Sequence, residues 1–253
     1  MTWVVVPAAG RGRRFGGERP KQYAPLAGRS VIECTLARVL AHPRVHAAMV
    51  VLAPDDAYWP GLREVAGKPV FTCWGGDERA DSVLAGLQAL PDSVIEDDPV
   101  LVHDAARPCV RVADIDRLLE LGRRHAVGGL LAAPVRDTLK RADARGGVAA
   151  TAPRDGLWRA FTPQLFRRGG LTRALQAAVR AGVAVTDEAM AMERLGLAPL
   201  LVEGAEDNIK VTTPADLAFA EFVLGRSREP GSGNGDLQVV PASHPLPPFE
   251  ASS

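Results

Sequence analysis

Short apolar runs dominated by Val, Leu and Ala recur at residues 3–7, 47–53, 100–103, 129–135 and 200–202, with segments of helical spacing between most of them. Runs this short, apolar at successive rather than alternate positions, suit strands covered on both faces, and their alternation with helices makes the sheet mostly parallel. The chain therefore reads as an α/β fold, a mostly parallel twisted sheet with helices on both faces. Its 253 residues, 47% of them hydrophobic, suffice for one such domain.

Local signals place some of the elements. Ser30-Val31-Ile32-Glu33 has the spacing of a capping box and predicts a helix through Leu40. Thr213-Pro214 sets an N-cap residue before a first-turn proline, predicting a helix over 215–224. Two stretches break the rhythm. Between 134 and 161, strand-like runs at 135–141 and 148–152 flank Ala144-Arg145-Gly146-Gly147, which predicts a β-hairpin arm inserted in the domain. From 226 onward, prolines and glycines accumulate with few large apolar residues, so this tail is expected to be disordered. The expected organisation is one domain over 1–225, an arm at 134–161 within it, and a tail at 226–253.

Composition excludes several classes of function. Thirty Lys and Arg balance thirty Asp and Glu, so no overall charge attracts a nucleic acid or an anionic membrane. Cys34, Cys73 and Cys109 are odd in number and lack Cys-x-x-Cys spacing, the pattern of buried reduced thiols rather than of a disulfide or zinc framework. The start carries no basic and apolar leader, and no run approaches the ~18 apolar residues of a membrane span. A cytoplasmic protein is the expectation.

Chemistry concentrates directly after the first strand. Residues 8–23 hold four glycines and five cationic side chains, including Arg14 and Lys21. Glycines let backbone N–H groups approach phosphate oxygens, and Arg or Lys neutralises their charge. Neither common phosphate fingerprint fits. The dinucleotide pattern counted from Gly10 meets Phe15 where it needs Gly, and the P-loop pattern counted from Gly12 meets Glu18 where it needs Lys. In α/β sheets, ligands bind at the carboxyl ends of strands, which is where this loop stands. It suits a polyphosphate.

The segments Pro7-Ala8-Ala9-Gly10, Gly12-Arg13-Arg14 and Pro20-Lys21-Gln22-Tyr23 resemble the signature loop of the 2-C-methyl-D-erythritol 4-phosphate cytidylyltransferases of the non-mevalonate isoprenoid pathway. Further segments of the same kind follow in order at 75–83, 102–108, 133–138, 186–189 and 208–212, so the resemblance covers roughly 3–225. It implies a Rossmann-like nucleotidyltransferase fold that joins CMP from CTP to a sugar-alcohol phosphate and releases pyrophosphate. It also implies Mg²⁺ as the metal, carried by the CTP phosphates with Asp104 as a possible ligand, and a homodimer formed through the arm.

Residue by residue, the resemblance makes Arg14 and Lys21 the pair that stabilises the transition state. It puts Ala8, Ala9, Gly10, Gly76, Asp77 and Ser82 on the nucleotide. Asp104, Arg107, Thr138, Arg154, Thr162, Thr186 and Lys210 go to the sugar phosphate, with Thr138, Arg154 and Thr162 reaching it across the dimer. Plainer readings stand beside these. Asp77 and Ser82 suit helix capping, Asp104 and Arg107 suit a structural ion pair, and residues 186–188 suit a cap. His103 reads as structural, since no second His or Cys stands at metal-ligand spacing, and Lys210 reads as buried by context. The rival activities are a ribitol-5-phosphate cytidylyltransferase and, in another class, a non-catalytic nucleotide-binding protein.

Overall fold

The structure is a computed structural model that describes residues 1–10, 19–226 and 239–241. In chain order the strands are β1 (Trp3–Pro7), β2 (Pro25–Leu26), β3 (Arg29–Ser30), β4 (Ala47–Leu52), β5 (Leu62–Val65), β6 (Lys68–Trp74), β7 (Pro99–Val102), β8 (Gly128–Pro134), β9 (Leu139–Ala142), β10 (Val148–Ala152), β11 (Trp158–Arg167), β12 (Leu200–Glu203) and β13 (Val239–Pro241). The helices are α1 (Val31–Leu40), α2 (Arg79–Gln88), α3 (Val112–Arg124), α4 (Arg168–Arg180), α5 (Glu188–Glu193) and α6 (Pro214–Arg226). None of the described helices is long and apolar enough to cross a membrane.

The main sheet has the order β12-β8-β11-β7-β1-β4-β6-β5-β13. Strands β6, β4, β1 and β7 run parallel, as do β8 and β12, while β11 runs antiparallel to both β7 and β8. The unbroken apolarity of β1 has a simple cause. Val4 and Val6 pack with Leu36 and Leu40 of α1 and with Ile115 and Leu118 of α3, whereas Val5 faces Val83 and Leu87 of α2 and Leu171 and Leu175 of α4. All three valines are fully buried, each stabilising the fold by on the order of 2 kcal/mol. Helices thus cover both faces, as expected.

One glycine sets the height of α2 above the sheet. A Cβ on Gly86 would lie 2.6 Å from Val5 Cγ1 and 2.7 Å from Val51 Cγ2, so only glycine lets the helix settle directly onto β1 and β4. Helix α1 forms as expected. Glu33 Oε2 accepts from the Ser30 backbone N–H at 2.7 Å, and Ser30 Oγ accepts from the Glu33 N–H. Helix α6 starts at Pro214, directly after Thr213, and the Asp216 carboxylate reaches back from its first turn to the Thr212 and Thr213 N–H groups, each at 2.8 Å.

The expected arm forms as the antiparallel pair β9 and β10, but it starts later than 135. Its return leg, β10, passes through a turn at 153–157 into β11, a ten-residue strand that enters the main sheet between β7 and β8. Sequence pattern missed β5 and β6 because they lie near the sheet edge, where only Val70 and Cys73 of β6 and Leu62 and Val65 of β5 are buried. Within the stretch 226–253, residues 239–241 form β13, antiparallel to β5, and the expectation for 227–238 and 242–253 lies outside the described residues.

Candidate active site

The carboxyl ends of β1, β6 and β7 converge on a cleft of about 230 Å³. Ala8, Ala9, Gly10 and Lys21 line one side, Gly76, Asp77, Arg79 and Ser82 another, and Asp104 and Lys210 are also in its lining. Parallel pairing of β7 with β1, of β1 with β4 and of β4 with β6 brings these three ends to one edge.

The first wall is fixed by its own backbone. Ala8 donates its N–H to Val51 O at 2.8 Å, extending the sheet by one bond beyond β1. Gln22, buried in the 3₁₀ turn Lys21–Tyr23, donates its side-chain amide to Ala8 O at 2.7 Å and to Gly10 O at 3.1 Å. In the second wall, Ser82 donates to Gly76 O at 3.3 Å, and a Cβ on Gly75 would stand 2.6 Å from Ser82 Oγ. The box that caps α2 is formed by Glu78 and Asp81. Asp77 is therefore not needed as a cap and stands exposed at the mouth.

Beneath these walls lies a cluster of charges. Asp104, buried, accepts from Arg79 Nε at 3.0 Å on Oδ1 and from Lys210 Nζ at 2.7 Å on Oδ2, with Arg107 Nε 3.7 Å away. Burial alone would raise its pKa, but Arg79, Lys210 and Arg107 together outweigh that and hold the carboxyl well below the usual range. Arg79 also clasps Glu188, fully buried, through both terminal nitrogens at 2.6 and 3.1 Å. Three cations thus face two carboxylates. The excess positive charge is presented by Lys210, whose side chain is 37% exposed at the cleft, where it meets Asp104, rather than buried as the sequence suggested. Arg107, buried, lies behind, donating to Asn208 O at 2.6 Å.

His103 is structural in this arrangement. Its Nε2 lies 3.0 Å from Arg107 O and its Nδ1 3.0 Å from Thr162 Oγ1, and burial lowers its pKa to about 4. A neutral ring with its proton on Nε2 fits both contacts. Thr162 then donates to Nδ1 and accepts from the Asp104 N–H at 3.0 Å. Thr162 accordingly sits buried beside Asp104, engaged within its own chain, and apart from Thr138 and Arg154. Those two are exposed on the arm, where Arg154 donates to Arg136 O. Thr186, exposed, precedes Asp187, which caps α5 by accepting from the Met190 N–H at 2.9 Å. Thr138, Arg154 and Thr186 do not line the cleft, and Arg14 lies outside the described residues.

Two further groups went unrecognised in the sequence. Arg79 and Glu188 stand inside segments already singled out, but nothing in their spacing pairs residues so far apart. The donor set also bears on a metal. Both Asp104 oxygens are held by cations, so this carboxylate is not a metal ligand here, and the described residues contain no group of three or more His, Cys, Asp or Glu placed around a common point. The described residues do not fit a resident Mg²⁺ site.

The family model of 2-C-methyl-D-erythritol 4-phosphate cytidylyltransferase, IspD, matches residues 2–226. A protein of that name from Stenotrophomonas maltophilia is 66% identical over 224 residues, 88% of this chain and 97% of its own length. Another from Xanthomonas campestris pv. campestris is 62% identical over 242 residues, 95% of this chain and 91% of its own. The crystal structure of the Francisella tularensis IspD is similar at a TM-score of 0.74 and 34% identity, covering 88% of this chain and 99% of that one. A mostly parallel sheet with helices on both faces and this extent of similarity together show that the chain belongs to the 2-C-methyl-D-erythritol 4-phosphate cytidylyltransferase family.

Proposed function

We propose that the chain transfers CMP from CTP to 2-C-methyl-D-erythritol 4-phosphate, giving 4-diphosphocytidyl-2-C-methyl-D-erythritol and pyrophosphate in the non-mevalonate isoprenoid pathway. The observation that carries this reading is the cleft itself, where the Ala8, Ala9, Gly10 and Lys21 wall meets the cation-rich cluster of Arg79 and Lys210. A phosphate oxygen of the sugar phosphate attacks the CTP α-phosphorus. The bond to the bridging oxygen breaks, and its electron pair leaves with pyrophosphate. Since a phosphate monoester is largely dianionic near neutral pH, with its second pKa near 6, no protein base is needed. Positioning and charge neutralisation remain as the work of the protein.

In this reading Ala8, Ala9 and Gly10 meet the nucleotide through backbone groups, and Gly76, Asp77 and Ser82 enclose the cytidine. Lys21 and Arg14 stabilise the pentavalent phosphorus. Lys210, backed by Asp104 and Arg107, receives the sugar phosphate together with Thr186. Mg²⁺ enters as part of the substrate, on the triphosphate oxygens, which is consistent with an Asp104 already held by cations. The enzyme works in the cytoplasm as a homodimer, with Thr138 and Arg154 of each arm serving the other subunit's site. An isolated two-stranded hairpin is marginal in water, and Val148, Leu157 and Trp158 are exposed on this one.

Pyrophosphate release from CTP and Mg²⁺ tests the reading with methylerythritol phosphate and ribitol 5-phosphate in parallel. The expected result is a kcat/KM at least ~10²-fold higher for methylerythritol phosphate. A preference for ribitol 5-phosphate would overturn the substrate, and tight CTP binding without release from either would make the chain a nucleotide-binding protein.

A further inference from the structure

Gln22 is adjacent to Lys21, yet its side chain points away from solvent and is only 4% exposed. Its amide group has two hydrogens, and both are used on one short stretch of backbone, at Ala8 O and Gly10 O, 2.7 and 3.1 Å away. A trans peptide is planar, so its N–H points opposite to its C=O. Drawing Ala8 O toward Gln22 therefore turns the Ala9 N–H to the other side. The Ala8 residue is fixed at both ends, by Val51 O on its N–H and by Gln22 on its carbonyl. The turn that carries Gln22 is itself anchored, because the Tyr23 hydroxyl donates to Asp56 at 2.6 Å.

Gln22 also ties together the two ends of the phosphate loop. Gly10 and Lys21 both line the cleft, and ten residues separate them in sequence. Holding these two points of the backbone in place leaves less to order when a triphosphate binds, and ordering costs affinity.

From this geometry we infer that Gln22 is a positioning residue for the triphosphate, fixing the Ala8 and Gly10 peptides so that the nucleotide wall and Lys21 form one preorganised surface. The inference rests on the cytidylyltransferase reading and deepens it, since it assigns CTP affinity to a side chain that need not touch the nucleotide. It also predicts that the two substrates respond differently, because Gln22 makes no contact with the Asp104 cluster.

The test compares Gln22→Met, similar in length but without donors, with Gln22→Glu. In Gln22→Met the KM for CTP rises about 10-fold while that for the sugar phosphate stays within about twofold. In Gln22→Glu at pH 8, a carboxylate faces two carbonyl oxygens, and the loss is at least as large. On lowering the pH to 6, a buried carboxyl so placed takes up a proton and regains one donor. Its CTP KM, relative to the parent protein at the same pH, then recovers severalfold. Parallel rises in both KM values, an unchanged CTP KM in both variants, or no recovery at pH 6 would overturn the inference, as would failure of both variants to fold. Calorimetric CTP binding to the parent and variants reads the same effect without turnover. A parent that binds CTP but releases no pyrophosphate would therefore sink the function while leaving Gln22 to be judged separately.

Discussion

Arg79 grips both carboxylate oxygens of Glu188, 2.6 and 3.1 Å away, and turns its remaining nitrogen to Asp104 at 3.0 Å. The start of α2, in the cleft wall, is thereby joined to the start of α5, which follows Thr186. Glu188→Gln leaves a largely enclosed guanidinium short of one counter-charge. Because Arg79 is still 26% exposed, the loss should be at or below the lower end of what a fully buried pair shows, about 2–3 kcal/mol in unfolding free energy. Urea denaturation would show it as a lower midpoint with an unchanged slope, and a midpoint equal to the parent's would mean that the pair contributes nothing net.

Lys21→Ala and Arg14→Ala should each lower kcat by roughly 10²-fold or more, with a smaller loss of CTP binding, because these charges act on the developing transition state. Single-turnover measurement at saturating CTP separates the two effects. Near-normal kcat in both variants would remove them from the chemistry.

Acid should weaken the fold through His103 before it reaches any carboxylate. The unfolded imidazole titrates near 6.5 and the buried one at about 4. Stability is therefore complete above pH 6.5 and is lost as the unfolded chain takes up a proton that the folded protein refuses. His42, also lowered by burial, adds in the same direction. Asp104, held far down, contributes fully above the ordinary carboxylate pKa and loses its share only in stronger acid. Unfolding free energy should fall by about 2 kcal/mol between pH 7 and 4.5, and His103→Gln should flatten the slope. An identical slope in that variant would disprove the linkage.

Cys73 and Cys109 are buried, and burial pushes both thiols up to about 12. Thiolate is the reactive form, so at pH 8 neither should react with a disulfide reagent until the protein opens. Labelling rates should track unfolding across a urea series. Fast reaction in the absence of denaturant would contradict the packing around them.

The shared-site proposal is checked by mixing inactive Lys21→Ala subunits with inactive Arg154→Ala subunits under exchange. Each heterodimer would hold one intact composite site and one doubly damaged site, so up to about half the activity of the parent dimer per heterodimer should return. No recovery despite proven exchange would confine each site to a single chain.

What could be read from sequence divides along physical lines. The buried strands β1, β4, β7 and β8 were legible because both of their faces are covered, and α1 because a capping box is local chemistry. β5 and β6 were not, since an edge position leaves half their residues in water and erases the apolar signature. Within the site, the loop after β1 announced itself by charge and glycine density. Ala8, Ala9, Gly10, Lys21, Gly76, Asp77, Ser82, Asp104 and Lys210 share one cleft. The pairing of Arg79 with Glu188 was invisible because it depends on how two helix starts meet across the sheet. Thr162 was read at the base of the arm, and β11 carries that base inside, where Thr162 is buried, a boundary that no residue pattern marks.

The reversed direction of β11 has a topological consequence. The chain leaves β8 at Pro134 and re-enters through Trp158, paired directly opposite it. Everything between departs from and returns to one doorway on the carboxyl edge, with no crossover to thread. The length of that excursion is therefore decoupled from the path of the sheet. Residues can be added or removed around 143–147 without rerouting a single strand, so the reach of the arm is free to be tuned, by selection or by an engineer, while the chemistry beneath it stays as it is.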